Sequence, residues 1–318
     1  MSQASTQSRP TKLPKHINYN GKFILLKYHM MLTGSGKHPG NSLAALQEVI
    51  DGEVAVIEFD VNYLADNEFG FIHDGTLQRE TTGLGEVRKL DGAAFKALSY
   101  KHSSEPLCTL SDATKLLKSI NFPVKLQVDF KEKTPIDDAQ ATVFLKAIES
   151  LRENDNITIV VGCLADWNLR TLRRLDDELN IGVDFAFHLD VPTADELVRL
   201  PTRVGAYGYL DDHMLAARKL QSPESYLRDR TEVLLNLVPN AYEFYLHKDF
   251  VARAIQDGFN PVEFTHTYLP DSFVDVWTID YSSGDHNSAS EAMFQVALDA
   301  GADQITTNTA LQWAEVYS

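Results

Sequence analysis

The 318-residue sequence carries 45 acidic against 29 basic side chains, a formal net charge of −16. Such a surface repels nucleic-acid phosphates and anionic lipid headgroups, so no nucleic-acid partner is expected, and an anionic substrate would need a local cation or a few Lys and Arg side chains. With 44% hydrophobic residues a full-sized core is available, yet no run reaches the ~18 continuous apolar residues of a membrane span, so stable membrane insertion is not expected either.

The opening stretch, residues 1–22, is polar without an apolar central run. It reads as a disordered segment rather than a secretory leader, with one domain covering 23–318. From residue 23 onward, strand and helix patterns alternate. Strand candidates fall at 23–30, 54–61, 124–130, 157–163, 183–188, 204–210, 241–246, 274–279 and 304–308. Amphipathic stretches such as SLAALQEVI, DAQATVFLKAIESL and SEAMFQVALDAG lie between them, many opening after Ser or Asp. The alternation argues for a parallel sheet covered by helices. A closed eight-stranded barrel needs one candidate fewer, and 204–210 is the surplus one. Residues 62–108 are too long for a simple loop after the second strand and read as an ordered, functional insertion. Two cysteines, Cys108 and Cys163, lack metal-binding spacing and read as buried thiols, which points to a cytoplasmic location.

Side chains alternate across a strand. In the second strand, Ala55, Ile57, Phe59 and Val61 form one apolar face, whereas Val54, Val56, Glu58, Asp60 and Asn62 turn acidic only at the C-terminal end. That gradient fits a barrel strand whose inner face fills the lumen below and opens into a site at the C-terminal rim. Residues 124–131 behave alike, with Gln127, Asp129 and Lys131 on one face, and the first strand places Lys27 and His29 together. Three carboxylates, Glu58, Asp60 and Asp129, thus converge with Lys131 and His29. Crowded like charges call for a counter-ion, and a hard divalent cation with oxygen ligands answers them. A solvated acidic rim is the alternative.

The segments HPGNSLAAL, VAVIEFDVNYLADNEFGFIHDGTLQRETTGLGEV, VWTID and GADQITTN resemble, in order and spacing, the signature of the glycerophosphodiester phosphodiesterase family. The resemblance covers residues 23–313 and implies a (β/α)₈ TIM barrel with an insertion after the second strand. It further implies a metal-dependent phosphodiesterase acting on a small-molecule, glycerophosphodiester-like substrate by His acid/base catalysis. Carried over residue by residue, it makes Glu58, Asp60 and Asp129 ligands of a divalent cation, Mg²⁺ or Ca²⁺. His29 and His73 become the acid/base pair, Lys131 a catalytic and phosphate-binding cation, and Trp277 a further substrate contact; Lys27 or Lys37 is expected to help hold the phosphate where the family's Arg is missing. His38, in the loop after the first strand, is the rival to His29. The remaining histidines, among them His188, His213, His247, His266 and His286, read as structural.

The departures are specific. The family's HRG reads His29-Met30-Met31, without its Arg; the PENT-type turn reads Pro39-Gly40-Asn41-Ser42, without its Glu; Asp129 stands for a Glu, and Asn308 for an Asp. Met30, Met31 and Leu32 are then expected at the pocket mouth, favouring a bulkier or partly apolar alcohol over simple glycerophosphodiesters. The other readings are a phosphodiesterase or lyase that acts on sugar phosphodiesters or lysophospholipids and releases a cyclic phosphate, and a non-catalytic barrel that binds a phosphorylated ligand.

Overall fold

The computed structural model describes residues 12–186, 188–189, 222–284 and 287–317. Ten strands form one sheet: β1 (His16–Tyr19), β2 (Lys22–Tyr28), β3 (Val56–Tyr63), β4 (Phe69–Phe71), β5 (Val124–Phe130), β6 (Ile157–Cys163), β7 (Asn180–Asp184), β8 (Glu243–His247), β9 (Phe273–Trp277) and β10 (Gln304–Thr307). Their order is β1-β2-β10-β9-β8-β7-β6-β5-β3-β4, and a further β2–β3 pairing closes the eight parallel members into a barrel. Every one of these eight overlaps or directly adjoins an expected strand; the surplus candidate, 204–210, lies outside the described residues. β1 and β4 are antiparallel additions. The expected disorder up to residue 22 fails for His16–Tyr19, because β1 pairs along β2 and buries Ile17.

The outward faces of the strands make the core. Ile57, Phe59 and Val61 of β3 and Leu126, Val128 and Phe130 of β5 join one large apolar cluster with the helices. Phe130 stacks on Phe144 of helix Asp138–Arg152 at a centroid distance of 4.6 Å. That helix starts where Asp137 and Gln140 cap each other's backbone N–H groups, satisfying donors that would otherwise be orphaned. The lumen is polar. Lys27 pairs with Asp275 at 2.6 Å and Lys125 with Glu243 at 2.6 Å, while Gln304 donates to Glu243 at 3.0 Å. Tyr245 crosses this interior and closes on β7 at Gly182, where a Cβ would lie 2.0 Å from its hydroxyl.

The insertion 62–108 has its own small core of Leu64, Ile72, Leu77, Val87, Phe95, Tyr100 and Leu107. β4 ties it to β3 by pairing Val61 with Phe71 and Tyr63 with Phe69. Gly70, between them, leaves room for the Phe95 ring, whose Cζ would be 2.7 Å from an added Cβ. Gly70→Ala is therefore expected to destabilise the chain by about 1–3 kcal/mol, the range for overpacking a filled core. Urea unfolding checks it; an unchanged midpoint would show that the insertion's core is loosely packed.

Candidate active site

The β3–β5 register sets Asp60 opposite Asp129 and Glu58 opposite Gln127, so the acidic ends of both strands meet at the C-terminal rim. One carboxylate oxygen from each of Glu58, Asp60 and Asp129 lies within 4.8 Å of the others. Lys131 stands among them, 2.8 Å from Asp60 Oδ1 and 2.6 Å from Asp129 Oδ2. Asp60 is fully buried; its charge is held below the usual carboxylate range by Lys131, His73 and His29, against burial, which opposes it. Glu58 behaves oppositely. Burial and the charges of Asp60 and Asp129 push it well above its ordinary value. Its Oε2 accepts from the Met30 N–H at 2.6 Å, while its buried Oε1 has no hydrogen-bond partner among the described residues. Three close carboxylates with one orphaned oxygen form an all-oxygen donor set suited to a hard divalent cation.

Asp60 is positioned from the loop after β2. Asn41 donates to its Oδ2 at 2.7 Å and accepts its backbone N–H at 3.0 Å. Asn41 is itself buried, in the left-handed region at φ 57°, with its carbonyl held by the Tyr100 hydroxyl and the Cys108 thiol of the insertion. The insertion thus braces a metal-ligand candidate through Asn41, a link that no sequence pattern announced.

It also delivers His73. Glu80 accepts the backbone N–H groups of His73 and Asp74 at 3.3 and 2.9 Å and fixes the turn. His73 Nδ1 lies 2.8 Å from Asp74 Oδ1 and 3.1 Å from Arg79 Nη2, and Arg79 in turn pairs with Asp74. Glu80 was missed in the sequence, where an acidic residue in a polar turn looks solvated. His29 directly follows β2, in a one-turn 3-10 helix rather than inside the expected strand 23–30, with Nδ1 2.8 Å from Asn308 Oδ1. Burial lowers its pKa from the ordinary histidine value.

A cavity of about 650 Å³ opens here, and His29, Glu58, His73, Asp129, Lys131 and Trp277 are among the residues that line it. Arg88 of the insertion and Lys133 are also on the lining. His38 is not on it and lies 3.4 Å from Glu105 of the insertion, whereas its rival His29 is. Lys27 reaches the lining, but its ammonium is held by Asp275 and Gln127 over the Tyr245 ring. Its ammonium is thus shared with partners in the lumen, as that of Lys131 is with Asp60 and Asp129.

The methionine expectation is also corrected. Met31 is fully buried in the core, and neither it, Met30 nor Leu32 lines the cavity. Met30 lies against Gly40, where an added Cβ would come within 3.0 Å of its Cβ and Cε. The two departures from the family pattern, Met for Arg and Gly for Glu, are therefore in contact, and the apolar side chain takes up space beside a glycine. Cys108 and Cys163 are free and buried against different neighbours.

Residues 33–266 match the Glycerophosphoryl diester phosphodiesterase family. A Glycerophosphodiester phosphodiesterase of Caldanaerobacter subterraneus is 26% identical over 153 residues, 46% of this chain and 60% of that protein. Bovine Glycerophosphodiester phosphodiesterase 1 is 33% identical over 88 residues, 25% of this chain and 27% of its own length. The matched part thus spans less than two thirds of either relative. Among solved structures, an Oleispira antarctica phosphodiesterase in complex with the product sn-glycerol-3-phosphate shares the fold at TM-score 0.57 and 16% identity, over 92% of this chain and 95% of that one. Among the described residues no helix is long and apolar enough to cross a membrane.

Proposed function

The chain belongs to the glycerophosphoryl diester phosphodiesterase family, and from that membership we propose that it is a phosphoric diester hydrolase that cleaves a glycerophosphodiester to an alcohol and a phosphomonoester. The observation that carries this reading is the convergence of Glu58, Asp60 and Asp129 with Lys131, His29 and His73 on one cavity.

Glu58, Asp60 and Asp129 would hold a divalent cation, Mg²⁺ or Ca²⁺, because every donor is a carboxylate oxygen. When bound, it supplies charge neutralisation at the phosphoryl oxygens and a lower pKa for a hydroxyl nucleophile. The chain's own groups do the rest. Lys131 offers a positive point to the phosphate without an Arg fork at position 30. One histidine takes the proton of the attacking hydroxyl, and the other gives a proton to the leaving oxygen. Residues of the insertion and Trp277 share the cavity lining with these groups. With the methionines away from the cavity, nothing at that loop favours a bulky alcohol, so glycerophosphodiesters are the expected substrates. Two buried thiols accord with a cytoplasmic placement.

Excess chelator is expected to abolish hydrolysis of glycerophosphocholine and glycerophosphoethanolamine, and Mg²⁺ or Ca²⁺ to restore it. Phosphorus NMR of the products reads the outcome, a phosphomonoester being expected. Full activity in chelator would remove the metal assignment. A cyclic phosphate as the end product would favour the lyase reading, and no turnover of any diester the binding reading.

A further inference from the structure

His29 is held from behind by a two-residue relay. Asn308, at the end of β10, places Oδ1 2.8 Å from His29 Nδ1. On its other side, Asn308 donates its backbone N–H to Asp280 Oδ1 at 2.7 Å and its Nδ2 to Asp280 Oδ2 at 2.7 Å, and the Thr307 hydroxyl donates to Oδ1 at 3.2 Å. The loop that carries Asp280 is clamped to the same end of the barrel. Ile279 N–H donates to Thr306 O at 3.0 Å, Tyr281 N–H to Thr309 Oγ1 at 2.7 Å, and Trp313 Nε1–H to Ile279 O at 2.9 Å. These contacts leave the carboxylate little freedom to turn.

The directions of these hydrogen bonds follow from what each group can do. A carboxylate only accepts, so the Asn308 NH₂ must face Asp280 and its carbonyl oxygen must face His29. An amide oxygen also only accepts, so Nδ1 of His29 must carry the hydrogen. The neutral ring then keeps its lone pair on Nε2, which has no hydrogen bond among the described residues, and His29 lines the cavity.

We propose that Asn308 and Asp280 are positioning residues that fix His29 as the Nδ1–H tautomer and so make Nε2 the proton acceptor at the rim. The second half of this proposal, His29 as base and His73 as acid, rests on the phosphodiesterase reading; the first half does not. His73 differs in having a charged carboxylate, Asp74, and a guanidinium, Arg79, at Nδ1. Asn308 is neutral and orients the ring without adding charge to it.

Nitrogen-15 NMR of the full chain, with a His29→Ala spectrum for assignment, reads the tautomer directly. A protonated Nδ1 and an unprotonated Nε2 are expected; an Nε2–H tautomer, or an equal mixture, overturns the proposal. This arm needs no substrate, so it decides the matter even if no diester is cleaved and the phosphodiesterase reading fails. The activity arm uses three variants. Asn308→Ala is expected to lower kcat/KM by about 10- to 100-fold, mostly in kcat. Asn308→Asp alone sets two carboxylates together and should be at least as impaired. The exchange Asp280→Asn with Asn308→Asp restores every donor–acceptor match and should recover activity to within about 10-fold of wild type. The acid limb of its pH profile should move upward, because a carboxylate now touches the imidazole. Asp60, Lys131 and His73 also face His29, from β3, the end of β5 and the insertion, and are unchanged in all three variants. An exchange variant no better than Asn308→Asp, or an acid limb that stays in place, overturns the relay.

Discussion

Asp60→Asn is expected to lower kcat/KM by on the order of 10³-fold or more and to weaken binding of Mg²⁺ and Ca²⁺ together. The substitution keeps the shape of the side chain and removes one anionic oxygen from the three that converge on the rim. A cation at a phosphoryl centre contributes several kcal/mol to transition-state stabilisation, and each 1.36 kcal/mol is about tenfold in rate. The fold should survive. The amide oxygen can still accept from Asn41, while the NH₂ meets the Lys131 ammonium, a buried mismatch costing about 1–3 kcal/mol. Circular dichroism should be native, with a lower melting temperature. Calorimetric titration with each cation separates the roles: lost affinity with a native spectrum supports the ligand assignment. Wild-type affinity or turnover would assign Asp60 to structure alone.

His29→Ala and His73→Ala are each expected to reduce turnover by about 10²–10⁴, the range for a lost general acid or base. The two differ in what else they disturb. His29 is held by the neutral amide of Asn308 and has its pKa lowered by burial, so its loss should spare stability. His73 shares Nδ1 contacts with Asp74 and Arg79, so its loss also releases part of the insertion's ion-pair cluster. His38→Ala should leave kcat within a few-fold, because that ring contacts Glu105 away from the cavity. Steady-state kinetics of the three variants decide the matter. A silent His29→Ala beside a damaging His38→Ala would reverse the assignment.

Much of the site was legible along the strands. Glu58, Asp60, Asp129 and Lys131 could be placed on one rim because alternation and a late acidic gradient are local properties of β3 and β5. Chain order alone aligned His73 and His29 with the family's motifs. The fold was legible for the same reason: strand and helix periods differ, and each helix start carries its own cap. Misreadings arose where a residue's role depends on distant neighbours. Lys27 was legible as a cation of the lining, but its pairing with Asp275, far along the chain, was not. Met30 and Met31 looked like a pocket mouth, yet both backbones are left-handed, at φ 51° and 62°, and their side chains lie off the cavity, Met31 in the core and Met30 beside Gly40. His16–Tyr19 looked disordered because a short polar strand gains its order from the strand it pairs with.

By itself, then, the sequence determined the barrel, the identity of the acidic and basic groups at its rim, and the family to which they point. Each of these follows from period, order and residue chemistry. Only the tertiary structure decided which of those groups touch. The β3–β5 register brings Asp60 to Asp129, the insertion holds Asn41 and through it Asp60, and the turn of β10 sets Asn308 between His29 and Asp280. Hydrogen bonds and ion pairs act over about 3 Å, whereas these partners lie tens to hundreds of residues apart in the chain. No local pattern encodes such distances, and closure of the barrel supplies them.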